Sequence, residues 1–198
     1  MARPGVRAVV VGAGNVGLQV AEAFLARGAA VTLVVRSPHV LSQMVDEAVG
    51  RRVGELFVAR GLTLRTGCDV AAIGGDLRVE SVLLDAGDEL PADVVVIAKG
   101  IESAIDWTRD SGLLARRGIV VDLSGRTDLP HVFAAGDCAE VIDPLTGAHA
   151  VSGVWPVAYE MGRAAGSTAV GVERATRGAL RMARSATRCP GKTGWLLR

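Results

Sequence analysis

The stretch Arg7-Ala-Val-Val-Val-Gly-Ala-Gly-Asn-Val-Gly17 constrains the fold more than any other part of the chain, because an apolar run passes directly into Gly12-x-Gly14-x-x-Gly17 and then into a helix-period pattern. Gly12 permits the tight turn, Gly14 lets the backbone approach a pyrophosphate, and Gly17 lets helix and strand pack closely. The helix that follows presents unpaired N–H groups and the positive end of its dipole to an anion. Gly12, Ala13, Gly14, Asn15, Val16 and Gly17 are therefore the expected dinucleotide-binding residues. Glycine triplets also punctuate turns in proteins that bind nothing, so context decides. Val9 to Val11 supply a buried strand, Val16, Val20, Ala23 and Phe24 share one helical face, Gly28 ends the helix, and Val31-Thr-Leu-Val-Val35 forms a second strand. This context predicts a βαβ unit, with nucleotide binding expected and a purely structural strand–turn–helix as the alternative.

A chain of 198 residues suits one large domain or two small ones. With 49% hydrophobic residues, 22% charged residues and a net charge of +1, the composition is globular and lacks the polyelectrolyte signature of a nucleic-acid binder. No segment has the roughly eighteen uninterrupted apolar residues of a membrane span, and Met1-Ala-Arg-Pro is no signal-peptide core, so a cytoplasmic location is expected. Cys68, Cys138 and Cys189 form neither a C-x-x-C pair nor a zinc spacing, which supports neither a dithiol mechanism nor a metal site. Cys138 reads as a small buried filler, although a thiol beside a cofactor is the alternative. His39, His131 and His149 are scattered and read as loop or surface residues.

Met44 to Arg60 has helical spacing, with Val45, Ala48, Val49, Val53, Leu56 and Phe57 as its apolar positions, and Gly61 closes it. Leu62 to Thr66 returns as a strand. Short strands then follow at Val70 to Ile73, Val79 to Leu84 and Glu89-Leu90, separated by glycine-containing turns, as in a small antiparallel meander. Val94 to Ala98 reads as a buried strand whose end, with Gly100, leaves the sheet at its carboxyl edge, where ligands are usually met. Ala98 and Gly100 join the expected cofactor contacts.

This order of parts resembles the NAD(P)-binding domain of the FAD-dependent pyridine nucleotide oxidoreductases, which include disulfide reductases, ferredoxin and rubredoxin reductases, NADH oxidases and the flavin part of nitrite reductases. Gly118-Ile-Val-Val-Asp122 followed by Thr127-Asp-Leu-Pro-His-Val-Phe-Ala-Ala-Gly-Asp137 is similar to that family's second FAD signature, in which a strand delivers an aspartate to the ribityl chain. The resemblance assigns Gly136 and Asp137 to FAD. It continues in Trp155-Pro156-Val157 and on to Gly166, where proline stands at the expected first helical position. In the family a helix here aims its positive end at the flavin pyrimidine edge, where charge gathers on reduction. The alternative is a helix that merely packs on the sheet, with Trp155 as core.

The implied architecture is α/β. A Rossmann-like NAD(P)-binding domain with a β-meander occupies residues 1–112, the C-terminal half of a second, FAD-binding dinucleotide fold residues 113–170, and a tail entering an interface domain residues 171–198. The family's amino-terminal FAD half has no counterpart here, so a truncated, split or frameshifted product is expected. Its partners would be a missing flavin-domain half or an electron-acceptor protein, and uncovered apolar surface makes a homo-oligomer an expectation as well.

An NAD site usually carries an acidic side chain at the end of the second strand, whereas this chain has Arg36-Ser37. Arg36, with the Ser37 hydroxyl beside it, suits the 2′-phosphate of NADP, and acceptance of either nucleotide is the alternative. Family members often have glutamate two residues after the last fingerprint glycine; here that place is Gln19. Glu22, further along the same helix, is expected to face solvent. Hydride transfer from nicotinamide to flavin is chemistry of the cofactors, so no catalytic side chain is assigned. A stand-alone NAD(P) dehydrogenase, or a nucleotide-binding sensor or subunit without turnover, are the competing readings.

Overall fold

Four consecutive apolar residues, Ala8 to Val11, are buried on both faces of their strand, as in a parallel sheet covered on two sides. The computed structural model describes residues 4–179 and divides them into two units, 4–100 and 101–179.

In the first unit β1 (Arg7–Val11), α1 (Asn15–Leu25), β2 (Ala30–Val35), α2 (Glu47–Val58), β3 (Thr63–Thr66) and β7 (Val94–Ile97) build a four-stranded sheet of order β3-β2-β1-β7. All its pairings are parallel. Between β3 and β7 the chain forms the antiparallel meander of β4 (Val70–Gly74), β5 (Ser81–Leu84) and β6 (Glu89–Pro91), close to the expected limits. Alternation along the strands divides the core. Val10, Val31, Leu33 and Val35 face the helices, whereas Val9, Val11 and Val34 pack with Val82 and Leu84 of the meander.

Several elements differ from the sequence reading for local reasons. Helix α1 buries Gly17, Leu18 and Ala21, with Val20, Phe24 and Leu25 packed alongside, while Val16 is 64% exposed and Ala23 also faces out. Helix α2 starts at Glu47 rather than Met44, because the Asp46 carboxylate accepts the Val49 N–H at 2.9 Å and caps it there. Its inner face is Gly50, Gly54 and the expected Phe57, with Val53 half-buried against the same core as expected, whereas Val49 and Leu56 are exposed. A side chain at Gly50 would collide with His39 and the Val40 carbonyl, so glycine lets α2 settle against that loop. Strand β7 is half-buried rather than buried, since it lies at the sheet edge and Ile97 is 56% exposed.

The second unit contains β8 (Ile119–Val120), β9 (Ala139–Ile142), β10 (His149–Ala150) and α3 (Trp155–Ala169). β8 pairs parallel with β9, and β10 antiparallel with β9. Ile119, Val121, Val141 and Met161 form its core, with Ile105 and Leu113 packed against them, so the chain from 101 onward belongs to this unit's packing. The expected strand leading into Gly136-Asp137 is reduced to one bridge between Arg126 and Phe133. Pro130 and His131, the latter at φ 62°, interrupt extension there. Residues 172–179 run back over this unit through Thr176 N–H to the Leu123 carbonyl and Ala179 N–H to the Ile142 carbonyl. The rest of the expected tail, 180–198 with Cys189, lies outside the described residues.

Leu33 has no exposed surface at the centre of the first core, whereas Leu77 is 97% exposed. Leu33→Ala is expected to cost about 2–5 kcal/mol and Leu77→Ala less than about 0.5 kcal/mol, read as shifts in urea midpoint.

Candidate cofactor-binding site

The glycine turn is built by contacts that leave no room for side chains. Gly12 has φ 102°, and a Cβ there would strike the Ala98 carbonyl and crowd the Lys99 nitrogen. A Cβ on Gly17 would strike the Gly12 carbonyl oxygen, so α1 meets the end of β1 backbone to backbone. Gly14 differs from both. It caps α1 from an extended conformation (φ −76°, ψ −172°), is exposed, and nothing lies within 4 Å of where its Cβ would be. No side chain caps this helix start and no acidic residue occupies its first turn, so its N–H groups and dipole remain available to an anion. Ala13 is buried, Asn15 half-buried, and Val16 and Gln19 exposed on the helix beyond. Glu22, expected in solvent, instead pairs with Arg60 at 2.8 Å and ties α1 to the end of α2.

The carboxyl ends of the strands close around this turn. Gly12 N–H donates to the Val34 carbonyl at 2.8 Å and Ala98 N–H to the Val11 carbonyl at 2.7 Å, so Ala98 and the β2 exit both border the glycines. Arg36 is exposed at that exit, and among the described residues it pairs with no carboxylate. Ser37 accepts the Ser42 hydroxyl at 2.8 Å, which leaves its own proton to donate. Leu41 N–H donates to the Ala13 carbonyl at 2.9 Å and holds the loop after β2 onto the turn.

A further charged pair completes this edge. Lys99, directly after Ala98, donates to both carboxylate oxygens of Asp69 at 2.8 and 2.6 Å. The lysine holds Asp69 below the usual carboxylate range, and Arg36 adds to the effect from further away. The sequence places Lys99-Gly100 at this exit but assigns cofactor contacts only to Ala98 and Gly100, because the lysine's partner is thirty residues distant and no local pattern announces the pairing. Gly100 is exposed at φ 103°. Cys68, next to Asp69, is half-buried, and burial together with Asp85 raises its thiol pKa, which makes it a weak nucleophile. Clefts of about 420 Å³ beside Arg65, Gly67 and Cys68 and about 820 Å³ near Pro4, Arg7 and Asp93 lie apart from the glycine turn, which is an open edge.

In the second unit Gly136 (φ 81°) opens a single 3-10 turn, Gly136–Cys138, that carries the exposed Asp137 into β9. The Ser103 hydroxyl donates to the Asp137 carbonyl at 2.5 Å and fixes the turn. The start of α3 packs directly on it, since a Cβ on Gly136 would touch the Ala158 Cβ at 3.6 Å. Pro156 is the second helical residue, after Trp155, and no side chain caps the helix. Trp155 is not core: it is 75% exposed and stacks on Tyr159 with ring centroids 5.5 Å apart. Val157 points inward and packs on the core. Cys138 is half-buried, its thiol directed to the Ala135 carbonyl at 3.3 Å. An exposed carboxylate beside an uncapped helix start suits a ligand with both hydroxyl and anionic groups.

Among the described residues no group of three His, Cys, Asp or Glu side chains could hold a metal ion, and no helix is long and apolar enough to cross a membrane.

A parallel sheet with a glycine turn at its carboxyl edge, leading into an uncapped helix start, defines a dinucleotide-binding fold of the doubly wound type. Residues 2–162 match the family model described as pyridine nucleotide-disulphide oxidoreductase, and the chain belongs to that family. It is 39% identical over 138 residues to a ferredoxin–NAD(P)(+) reductase of Sphingomonas sp., covering 69% of this chain and 33% of the relative. It is 32% identical over 168 residues to an NADH oxidase of Methanocaldococcus jannaschii, covering 84% and 37%. A NAD-dependent persulfide reductase from A. fulgidus superposes with a TM-score of 0.84 at 31% identity, over 90% of this chain and 33% of that one. The chain thus spans about a third of the length of these relatives.

Gly14→Ala is expected to leave the melting temperature within a degree or two, and Gly17→Ala to lower it by about 4 °C or more, since only the second forces backbone apart. Thermal unfolding followed by circular dichroism distinguishes them, and equal effects would contradict the turn geometry.

Proposed function

We propose that this chain is part of an FAD-dependent NAD(P)H oxidoreductase, with the first unit, up to residue 100, holding the nicotinamide dinucleotide and the second, from residue 101 through α3, holding the ribityl and pyrimidine parts of FAD. The reading is carried by the Gly136–Cys138 turn packed on the uncapped start of α3, a feature that a simple dehydrogenase sheet has no use for. Family membership and the names of the relatives support it.

In the first unit Gly12, Ala13, Gly14, Asn15, Val16 and Gly17 receive the pyrophosphate, while Ala98, Gly100 and Gln19 border the reactive end of the cofactor. Arg36 and Ser37 meet the adenosine ribose. The absence of a carboxylate at the β2 exit favours a 2′-phosphate, which Arg36 binds by charge-assisted hydrogen bonds and to which Ser37 donates its free proton. In the second unit Gly136 leaves the backbone open, Asp137 accepts ribityl hydroxyls, and the first turn of α3 at Trp155, Pro156 and Val157 stabilises negative charge on the pyrimidine edge. When bound, the two cofactors supply the hydride donor and acceptor, and the protein contributes alignment and electrostatics. A structure of a reductase covalently joined to putidaredoxin superposes with a TM-score of 0.80 at 28% identity, and this supports an electron-acceptor protein among the partners.

Arg36→Ala is expected to weaken NADPH binding by about 1.5–3 kcal/mol while leaving NADH unchanged, as measured by calorimetric titration. Tighter binding of NADH than NADPH by the unmutated protein overturns the phosphate assignment.

These 198 residues alone are expected to be colourless, because the adenosine half of FAD gains no second glycine turn among the described residues. Adding the amino-terminal flavin segment of a related reductase should restore flavin absorbance, and Asp137→Ala should reduce it. Stoichiometric FAD bound to these residues by themselves would refute the half-site reading.

A further inference from the structure

The strand order places β3 and β7 at opposite edges of the four-stranded sheet, about 14 Å apart at ordinary strand spacing. Asp69 follows β3 and Lys99 follows β7, yet the two side chains meet in a doubly bonded pair at 2.6 and 2.8 Å. Their meeting draws a strap across the carboxyl ends of β1 and β2, on the side where Val70 packs with Val11 and Val34 beneath the meander. Both ends of the strap touch the cofactor edge. The Lys99 backbone lies against Gly12, and the turn before Asp69 is joined to the β2 exit by Gly67 N–H donating to the Ser37 carbonyl at 3.4 Å. Asp69 is four-fifths buried, and its Oδ1 also accepts the Val70 N–H at 2.8 Å, so the carboxylate is anchored. Lys99 is half-exposed, and Arg36, adjoining Ser37, acts on Asp69 through its charge while pairing with no carboxylate among the described residues.

We infer that Asp69 and Lys99 set the cofactor's phosphate preference at a distance: Lys99 neutralises the anchored Asp69 carboxylate and thereby leaves Arg36 free for a 2′-phosphate. The inference rests on the proposal that Arg36 meets that phosphate. A carboxylate at Asp69 without Lys99 would draw Arg36 to itself and repel a phosphate dianion, recreating by another route the acidic adenosine end of an NAD site. The local charge of Arg36, Asp69 and Lys99 together is +1. Lys99→Met lowers it to zero, Asp69→Asn raises it to +2, and the double variant returns it to +1.

The test measures the ratio of NADPH to NADH affinity by calorimetric titration in the intact chain, with 2′-phosphorylated and plain adenosine diphosphate as shorter probes. Lys99→Met should lower the ratio about five- to tenfold, Asp69→Asn should raise it by a similar factor, and the double variant should return near the starting value. A purely structural strap predicts that both single variants weaken all four ligands together and that the double variant is no better, which would overturn the inference. A melting curve for each variant identifies loss of folding, and in that event Lys99→Gln and Asp69→Ser, at the same positions, must reproduce the opposite signs or the inference fails. Arg36→Ala separates the layers. An unchanged ratio in that variant overturns the phosphate reading itself, whereas a fallen ratio with unmoved Asp69 and Lys99 variants overturns this inference alone.

Discussion

The contact on which the first unit depends is the approach of α1 to the end of β1, where Gly17 rests on the Gly12 carbonyl and Gly12 rests on the Ala98 carbonyl. Two missing side chains bring a helix start, a strand end and the neighbouring strand exit to one place. Everything offered to a ligand follows from that approach. The uncapped N–H groups of α1 point at an open edge, Gly14 exposes backbone there, and the exits of β2 and β7 deliver Arg36 and Lys99 to its two sides. An additional methyl group at either packed glycine would separate these parts, which is why the same residue type recurs at positions with different tasks.

Charge at this edge is arranged rather than merely present. Among the described residues Arg36 pairs with no carboxylate, while Asp69, whose charge interacts with it, is occupied by Lys99. Elsewhere in the unit ion pairs serve to tie elements, as Glu22 with Arg60 joins α1 to α2 and Arg7 with Asp93 joins β1 to the approach of β7. The Arg7 guanidinium accordingly holds Asp93 well below the usual carboxylate range. The exposed Arg7–Asp93 pair contributes little to stability by itself, so its placement bears more on geometry than on folding energy.

The parallel sheet and meander were legible because their signals are local: apolar runs of strand length, turn glycines, and a glycine triplet between strand and helix. Packing faces were less legible. Val16, Val49 and Leu56 have the right period for a core, but Gly17, Gly50 and Gly54 take the inner faces because backbone proximity outweighs side-chain burial where a helix must sit close. Hydropathy cannot register a residue whose contribution is absence of bulk. Asp46 shortened α2 by capping, and Pro130 with His131 dissolved a strand that apolar content alone would support. The Asp69–Lys99 pair was hidden for a different reason: it is made by tertiary closure between opposite sheet edges.

The loop after β2 is fastened at several points: Leu41 to Ala13, Ser42 to Ser37, and His39 with Val40 beneath Gly50. In evolutionary terms, such fastening sets the size of the piece that can be exchanged. The run from Arg36 to the first turns of α2 is thus a locally fastened piece, whose loop geometry is held by contacts to the glycine turn and to α2 rather than by the loop alone.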